Sequence, residues 1–235
     1  MKIVSMSPAR LGSKRVKNKN LRLLDGKPLV AHVVSAAKEA QVFSDVYINS
    51  EADIFSEIAN QYGVKFYKRP LEFASDDATN DMFVQDFIDH TPCDIIIQIN
   101  PTSPFISAQI IRQFVQTMIE NDYDTLHSVK EEQIEGLFKG NPLNFNPLKP
   151  MPRSQDLEPI MLFSSGIMGW KAKTHGEQMQ KYGCATYGGD GKTGYFTLKG
   201  FATIDIDHEE DFQIAELAMA YQKNPAMFSV NYWGI

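Results

Sequence analysis

Three consecutive stretches decide the fold: Lys2-Ile-Val-Ser-Met6, Pro8-Ala-Arg-Leu-Gly-Ser-Lys-Arg-Val-Lys-Asn-Lys-Asn20 and Pro28-Leu-Val-Ala-His-Val-Val-Ser-Ala-Ala37. The first is a short apolar run closed by Pro8, which predicts a buried strand. The third opens on proline and sets Leu29, Val30, Val33, Val34 and Ala37 on one helical face. Between them lies a basic loop. Strand, loop and helix form the first unit of an alternation that continues along the chain.

Val46–Asn49 and Val64–Tyr67 predict further strands, flanking a helix over Ala52–Tyr62 that Gly63 can cap. A polar loop from Lys68 to Asn80 precedes a helix over Met82–Ile88. Asp94–Ile99 is apolar through Ile95–Ile97, as a strand covered on both faces would be. Ser107 suits the N-cap of a helix bearing Ile110, Ile111, Phe114, Val115, Met118 and Ile119, and Thr125–Val129 predicts another strand. This β-α-β-α order predicts an α/β fold, a mainly parallel sheet with helices on both faces. Prolines 142, 147, 150 and 152 then break the rhythm between Lys130 and Pro159. That stretch reads as an insertion in a single domain spanning residues 1–235, serving as a lid or an oligomer contact. Strands at Ile160–Phe163, Tyr195–Leu198 and Ala202–Ile206 follow, with helices at Thr174–Lys181 and Glu209–Gln222.

Composition narrows the function. The chain has 235 residues, 23 basic and 29 acidic, for a net charge of −6. Residues 1–24 hold Lys2, Arg10, Lys14, Arg15, Lys17, Lys19 and Arg22 with no acid, so they carry +7 and the remainder −13. An acidic body repels a nucleic acid, whereas a basic loop on it suits a small anion; a solvated surface loop is the plain alternative. Two distant cysteines, Cys93 and Cys184, suggest a reducing compartment. No apolar run is long enough for a membrane span, and Ile3–Met6 is too short for a signal peptide. These features predict a cytoplasmic protein with neither a nucleic-acid nor a membrane partner.

Three segments carry chemistry, each placed where ligands meet α/β sheets, beyond the carboxyl ends of strands. In the first loop, Gly12 and Ser13 permit close backbone approach, and Arg10, Lys14 and Lys19 offer charge for phosphate oxygens. The loop matches neither a P-loop nor a G-x-G-x-x-G dinucleotide motif. Near the C-terminus, Asp205-Ile-Asp207 on a strand directs both carboxylates to one side, a seat for Mg²⁺ or simply an acidic entry to a helix. After the Asp94–Ile99 strand, Asn100, Thr102 and Ser103 stand on a loop stiffened by Pro101 and Pro104, which suits a polyhydroxylated sugar or an ordinary turn.

Together these segments resemble the cytidylyltransferases that activate 3-deoxy-2-keto sugar acids, above all the N-acylneuraminate (CMP-sialic acid) synthetases. Ala9-Arg10-x-x-Ser13-Lys14…Lys19-Asn20 is similar to that family's A-R-x-x-S-K-x-x-x-x-K-N loop. Arg69-Pro70…Ala74-Ser75-Asp76, Pro101-Thr-Ser-Pro104 and Ile204-Asp-Ile-Asp207…Asp211 resemble its R-P-x-x-x-A-S-D, P-T-S-P and I-D-I-D-x-x-x-D segments, in the family's order. The resemblance implies a Rossmann-like fold of the nucleotide-diphospho-sugar transferase type, a homodimer, and Mg²⁺-dependent transfer of CMP from CTP with release of pyrophosphate, a step of cell-surface polysaccharide synthesis. It implies that Ala9, Arg10, Gly12, Ser13, Lys14, Lys19 and Asn20 hold the triphosphate. Arg69, Ser75 and Asp76 lie near the nucleotide, and Asp205 and Asp207 hold Mg²⁺. Arg10, Lys19 and Asp207 act in catalysis, an Asp taking the sugar hydroxyl's proton directly or through water on the metal. Residues about 130–165 form the dimerisation element.

The chain departs from the family pattern around the sugar. Arg15 replaces a usual Gly, Asn100 a usual Gln, and Ser165-Gly166 a usual Asn-Gly pair. Asn100, Thr102, Ser103, Ser165 and, from the end of the insertion, Gln155 are the candidate sugar contacts, beside Arg153 and Asp156. The acid itself stays open among sialic, legionaminic, pseudaminic and related compounds. Another nucleotidyltransferase, or a non-catalytic nucleotide- or sugar-binding protein, is the alternative. Lys2, Lys17 and Arg22 are left to solvent.

Overall fold

A computed structural model of the chain describes residues 1–227, 230, 232 and 233. The apolar runs become strands β1 (Ile3–Pro8), with a two-residue ribbon β2 (Leu23–Leu24) and β3 (Lys27–Pro28) after the basic loop. Helix α1 (Leu29–Ala40) follows, then β4 (Asp45–Ser50), α2 (Ile54–Tyr62), β5 (Lys65–Lys68), α3 (Asn80–His90), β6 (Ile95–Ile99), α4 (Ala108–Glu120) and β7 (Thr125–Glu132). A second ribbon, β8 (Leu137–Phe138) with β9 (Asn141–Pro142), lies in the insertion, before β10 (Ile160–Lys171), α5 (Ala172–Tyr182), β11 (Thr193–Thr197) and α6 (Glu209–Lys223). Local signals act where expected: Pro28 caps α1, Gly63 ends α2 at φ 62°, and Ser107 Oγ accepts Ile110 N–H at 3.3 Å.

The seven-stranded sheet has the order β5-β4-β1-β6-β10-β7-β11. Every pairing is parallel except those of β10, which runs antiparallel to both β6 and β7. Strand order reverses between β1 and β6, the kind of crevice in which such sheets take ligands. On one face, Val30, Val33, Phe55, Ile111 and Phe114 of α1, α2 and α4 pack on Ile48, Ile97 and Ile99. On the other, Val84 and Phe87 of α3 meet Met6, Ile96, Met168 and Trp170. A third cluster joins Val16 of the basic loop to Ile206, Phe212 and Ala215, so apolar burial docks the loop against the segment leading into α6.

Three expectations change. Ile160–Phe163 is only the start of a twelve-residue strand, interrupted by an irregularity between Phe163 and Met168 that puts Ser165 at φ 54°. Ala202–Ile206 is no strand: Gly200–Thr203 forms a 3-10 turn, and Ile206 N–H bonds the Thr102 carbonyl at 2.8 Å. Alternation survives there without a ladder, because Ile206 must reach the third apolar cluster. Arg22 is also not left to solvent; it lies 3.7 Å over the Phe212 ring and 2.6 Å from Glu209.

His175 of α5 is buried against Trp170, with Nδ1 2.9 Å from Gln85 Oε1 and Nε2 unpartnered. Burial pushes its pKa down to about 4. The unfolded chain takes up this proton below about pH 6.5 while the folded one does not, so stability falls between pH 6.5 and 4 and is unaffected above that window. This group alone accounts for a loss on the order of 3 kcal/mol at the acid end. Urea unfolding at pH 7 and pH 5 checks it: His175→Gln should show a shallower pH slope than the parent, and equal slopes would remove His175 as the cause.

Candidate active site

A cleft opens beyond the carboxyl ends of β1 and β6. Its walls include Arg10, Ser13, Lys14, Arg15, Lys19 and Asn20 from the loop after β1, Arg69 after β5, Phe83 of α3, and Asn100 and Thr102 after β6. The basic loop and the Pro-Thr-Ser-Pro loop thus share one crevice.

Each cation in it has a carboxylate. Asp76 takes Arg10 Nη1 at 2.9 Å and also binds Lys14, and these bonds hold its carboxyl below the usual carboxylate range. Asn18, at φ 51°, turns the chain so that Lys19 points inward. Lys19, with its side chain 12% exposed, donates to the Ile206 carbonyl and lies 3.3 Å from Asp207 Oδ1. Arg15 reaches the same oxygen at 2.9 Å. Asp207 N–H and His208 N–H both donate to Asp211 Oδ2, so the acidic start of α6 is a helix cap as well.

Arg69 is buried, which pushes its pKa down, and it lies 5.0 Å over Phe83. Its Nη2 donates to the Ala9 carbonyl at 3.3 Å and faces Glu51 Oε2 at 3.5 Å, while Nε has no partner. Glu51 Oε1 accepts Leu11 N–H at 2.8 Å, so this one carboxylate ties the basic loop and Arg69 to the end of β4. Sequence reading missed Glu51, although its place just after a strand adjoining β1 was a signal.

Asp205 is mostly buried, and burial, offset in part by the Thr102 hydroxyl, raises its pKa. Its Oδ1 has no hydrogen-bond partner. Asp205 and Asp207 both act on Lys19, one through its field and the other by contact. Asn100 Nδ2 donates to the Ser165 carbonyl at 2.6 Å, and Gly166 packs tightly on buried Ser103; a Cβ added there would lie 3.1 Å from Ser103 Oγ.

Other candidates lie apart from the cleft wall. Ser75 is exposed and bonds the Glu72 carbonyl at 2.8 Å. Gly12 faces open space, since a Cβ there would meet nothing within 4 Å. Gln155 contacts Gln133 through its carbonyl at 3.0 Å, and Arg153 pairs with Asp156 at 2.6 Å, both within the insertion. Among the described residues no cluster of three or more His, Cys, Asp or Glu forms a metal cage.

A family model described as cytidylyltransferase matches residues 4–224. The zebrafish (Danio rerio) N-acylneuraminate cytidylyltransferase A is 30% identical over 217 residues, covering 88% of this chain and 48% of that protein. The Campylobacter coli post-translational flagellin modification protein B is 27% identical over 228 residues, covering 88% of this chain and 91% of its own. Among solved structures, a CMP:2-keto-3-deoxy-manno-octonic acid synthetase complexed with CTP superposes with a TM-score of 0.72 at 17% identity, covering 94% of this chain and all of that one. The chain spans about half the length of curated relatives such as the zebrafish protein.

Glu51 gives the site's first test. Glu51→Ala strips the acceptor from Leu11 N–H and the counter-charge from Arg69. Calorimetric titration with inorganic triphosphate should show affinity down roughly tenfold. Unchanged affinity would show that the loop holds its shape without that carboxylate.

Proposed function

The chain belongs to the cytidylyltransferase family, and from that premise we propose that it transfers CMP from CTP to the anomeric hydroxyl of a 3-deoxy-2-keto sugar acid and releases pyrophosphate. The observation that carries the reading is the convergence of Arg10, Lys14, Lys19 and Arg69 with Asp207 around one crevice. Nucleotidyl transfer asks for a triphosphate held in line and for cations placed where negative charge grows on the α-phosphate and the leaving pyrophosphate. Arg10 and Lys14, released from Asp76, serve the outer phosphates. Lys19, fixed from behind by the Ile206 carbonyl, serves the reacting end, and Asn20, bonded to the Arg10 carbonyl at 3.3 Å, keeps the loop's curvature. Arg69 and Phe83 line the crevice from the β5 and α3 side, as a wall for the nucleotide.

The residues present fit Mg²⁺. Asp205 Oδ1 is a buried, unpartnered oxygen beside the Asp207 carboxylate, and two hard oxygen ligands leave room for phosphate oxygens and water. When bound there, the metal supplies positive charge opposite the phosphates. Asp205 and Asp207 would hold it, and a carboxylate oxygen of one of them accepts the proton of the sugar hydroxyl. Asn100, Thr102 and Ser103 border the acceptor half.

The same reading extends to assembly and compartment. The insertion leaves Ile134, Leu137, Phe138, Leu143, Leu148 and Met151 in water, Leu148 at 92% exposure. An apolar patch of that kind suits a second copy of this chain as its cover. No helix among the described residues is long and apolar enough to cross a membrane, and Cys93 and Cys184 are unbridged, which accords with the cytoplasm.

Pyrophosphate release with CTP, Mg²⁺ and a panel of sugar acids tests the activity. Turnover with CTP over UTP and GTP is expected, and silence across the panel with every nucleotide would end the enzyme reading. Asp207→Ala should fold normally and lose roughly a hundredfold or more of kcat; unchanged turnover would remove the aspartate pair from the chemistry. Light scattering after size exclusion should give a dimer for the parent and a monomer for Phe138→Glu/Leu148→Glu. A parent that elutes as a monomer would refute the pairing.

A further inference from the structure

A string of side-chain amides runs behind the acceptor half of the cleft. It starts from the Ser165 carbonyl, a backbone oxygen that can only accept. Asn100 must therefore turn Nδ2 toward it, at 2.6 Å, and so turns Oδ1 inward. Gln98 Nε2 meets that oxygen at 2.8 Å and also donates to Asn80 Oδ1 at 2.9 Å. Asn80 Nδ2 passes the pattern on to Thr186 Oγ1 at 3.3 Å. Each link has one polarity, because the Ser165 carbonyl sets the first.

Gln98 is the fourth of the five residues of β6, 2% exposed, between isoleucines and in register with Met6 and Met168. Its Oε1 is buried without a partner. An apolar side chain at this place would avoid that desolvation penalty and pack equally well on the two methionines. What only an amide supplies here is the donor that holds Asn100 in its orientation.

The consequence appears at the cleft surface. Asn100 is half-buried and lines the cleft. Its oxygen and one N–H are engaged, which leaves a single N–H to present. A group that only donates matches a ligand atom that only accepts, as a carboxylate oxygen does and a hydroxyl need not. We propose that Gln98 is a positioning residue for the acceptor substrate: it locks the Asn100 amide so that one N–H meets a carboxylate oxygen of the sugar acid. This rests on the function proposed above and adds which group of the acid is read, and how.

Gln98→Leu and Gln98→Met remove the amide at nearly constant volume. With N-acetylneuraminate and 2-keto-3-deoxy-manno-octonate as probes, KM for the acid that turns over should rise roughly tenfold, with KM for CTP within about twofold. Asn100→Asp keeps an oxygen toward Gln98 but replaces the outward N–H, and should raise the same KM at least as far. A purely structural Gln98 would lower the melting temperature and move both KM values together or neither, which overturns the proposal. A second readout needs no turnover: ¹⁵N spectra of the free protein should show one protected Asn100 side-chain proton that loses protection in Gln98→Leu. An unchanged Asn100 signal overturns the inference even if the parent is inert. A parent inert on every acid, with the Asn100 signal altered as expected, overturns the functional reading alone.

Discussion

Lys19 is the charge on which the site is built. Its ammonium is largely withdrawn from water, and a buried charge is stable only when paired and hydrogen-bonded. Its partners are the Ile206 carbonyl and the Asp207 carboxylate, 187 and 188 residues further along the chain. The two ends of the sequence are therefore locked together at the mouth of the sheet. Apolar packing makes the lock possible: Val16, three residues before Lys19, shares a buried cluster with Ile206. Asp76 and Glu51 repeat the device for Arg10, Lys14 and Arg69. The basic loop keeps its shape because acids from distant elements neutralise it, and in the proposed function the nucleotide's phosphates take over part of that task.

The two halves of the crevice differ in chemistry. The side beneath β1 is ionic, with cations facing carboxylates. The side beneath β6 and β10 is built from neutral amides and hydroxyls: Asn80, Gln98, Asn100, Thr102 and Ser103. Strong cations suit a ligand of high charge density, and oriented amides suit one whose identity lies in hydrogen-bond pattern. That division follows the sheet, since the crevice forms where strand order reverses between β1 and β6.

Much of this was legible in the chain. Apolar periodicity locates β1, α1, β4, α2, β6 and α4, and the basic loop and the Pro-Thr-Ser-Pro loop read as ligand-facing because each follows a strand. What local pattern does not encode is direction and distance. Ile160–Phe163 reads as a strand, yet its antiparallel pairing with β7 is decided by the insertion that reverses the chain before it. Asp205 and Asp207 alternate as strand residues do, but Ile206 pairs with a loop carbonyl, so alternation survives without a ladder. Arg22 looks like a surface cation until Phe212 and Glu209, far along the chain, are folded onto it. Glu51 is not legible because it acts through Leu11 and Arg69, to which no short motif links it, and Gln98 lies two residues from the Asn100 it bonds but only the fold shows that contact. Gln98 did leave a trace, a lone amide inside an isoleucine run.

The central claim is that Lys19 and Asp207 work as one unit across the ends of the chain. A double-mutant cycle with Lys19→Met, Asp207→Asn and the double variant, read as kcat/KM for pyrophosphate release from CTP, tests it most directly. The account predicts strong non-additivity, the double variant lying within roughly threefold of the worse single. Losses that multiply would show two independent residues and contradict it.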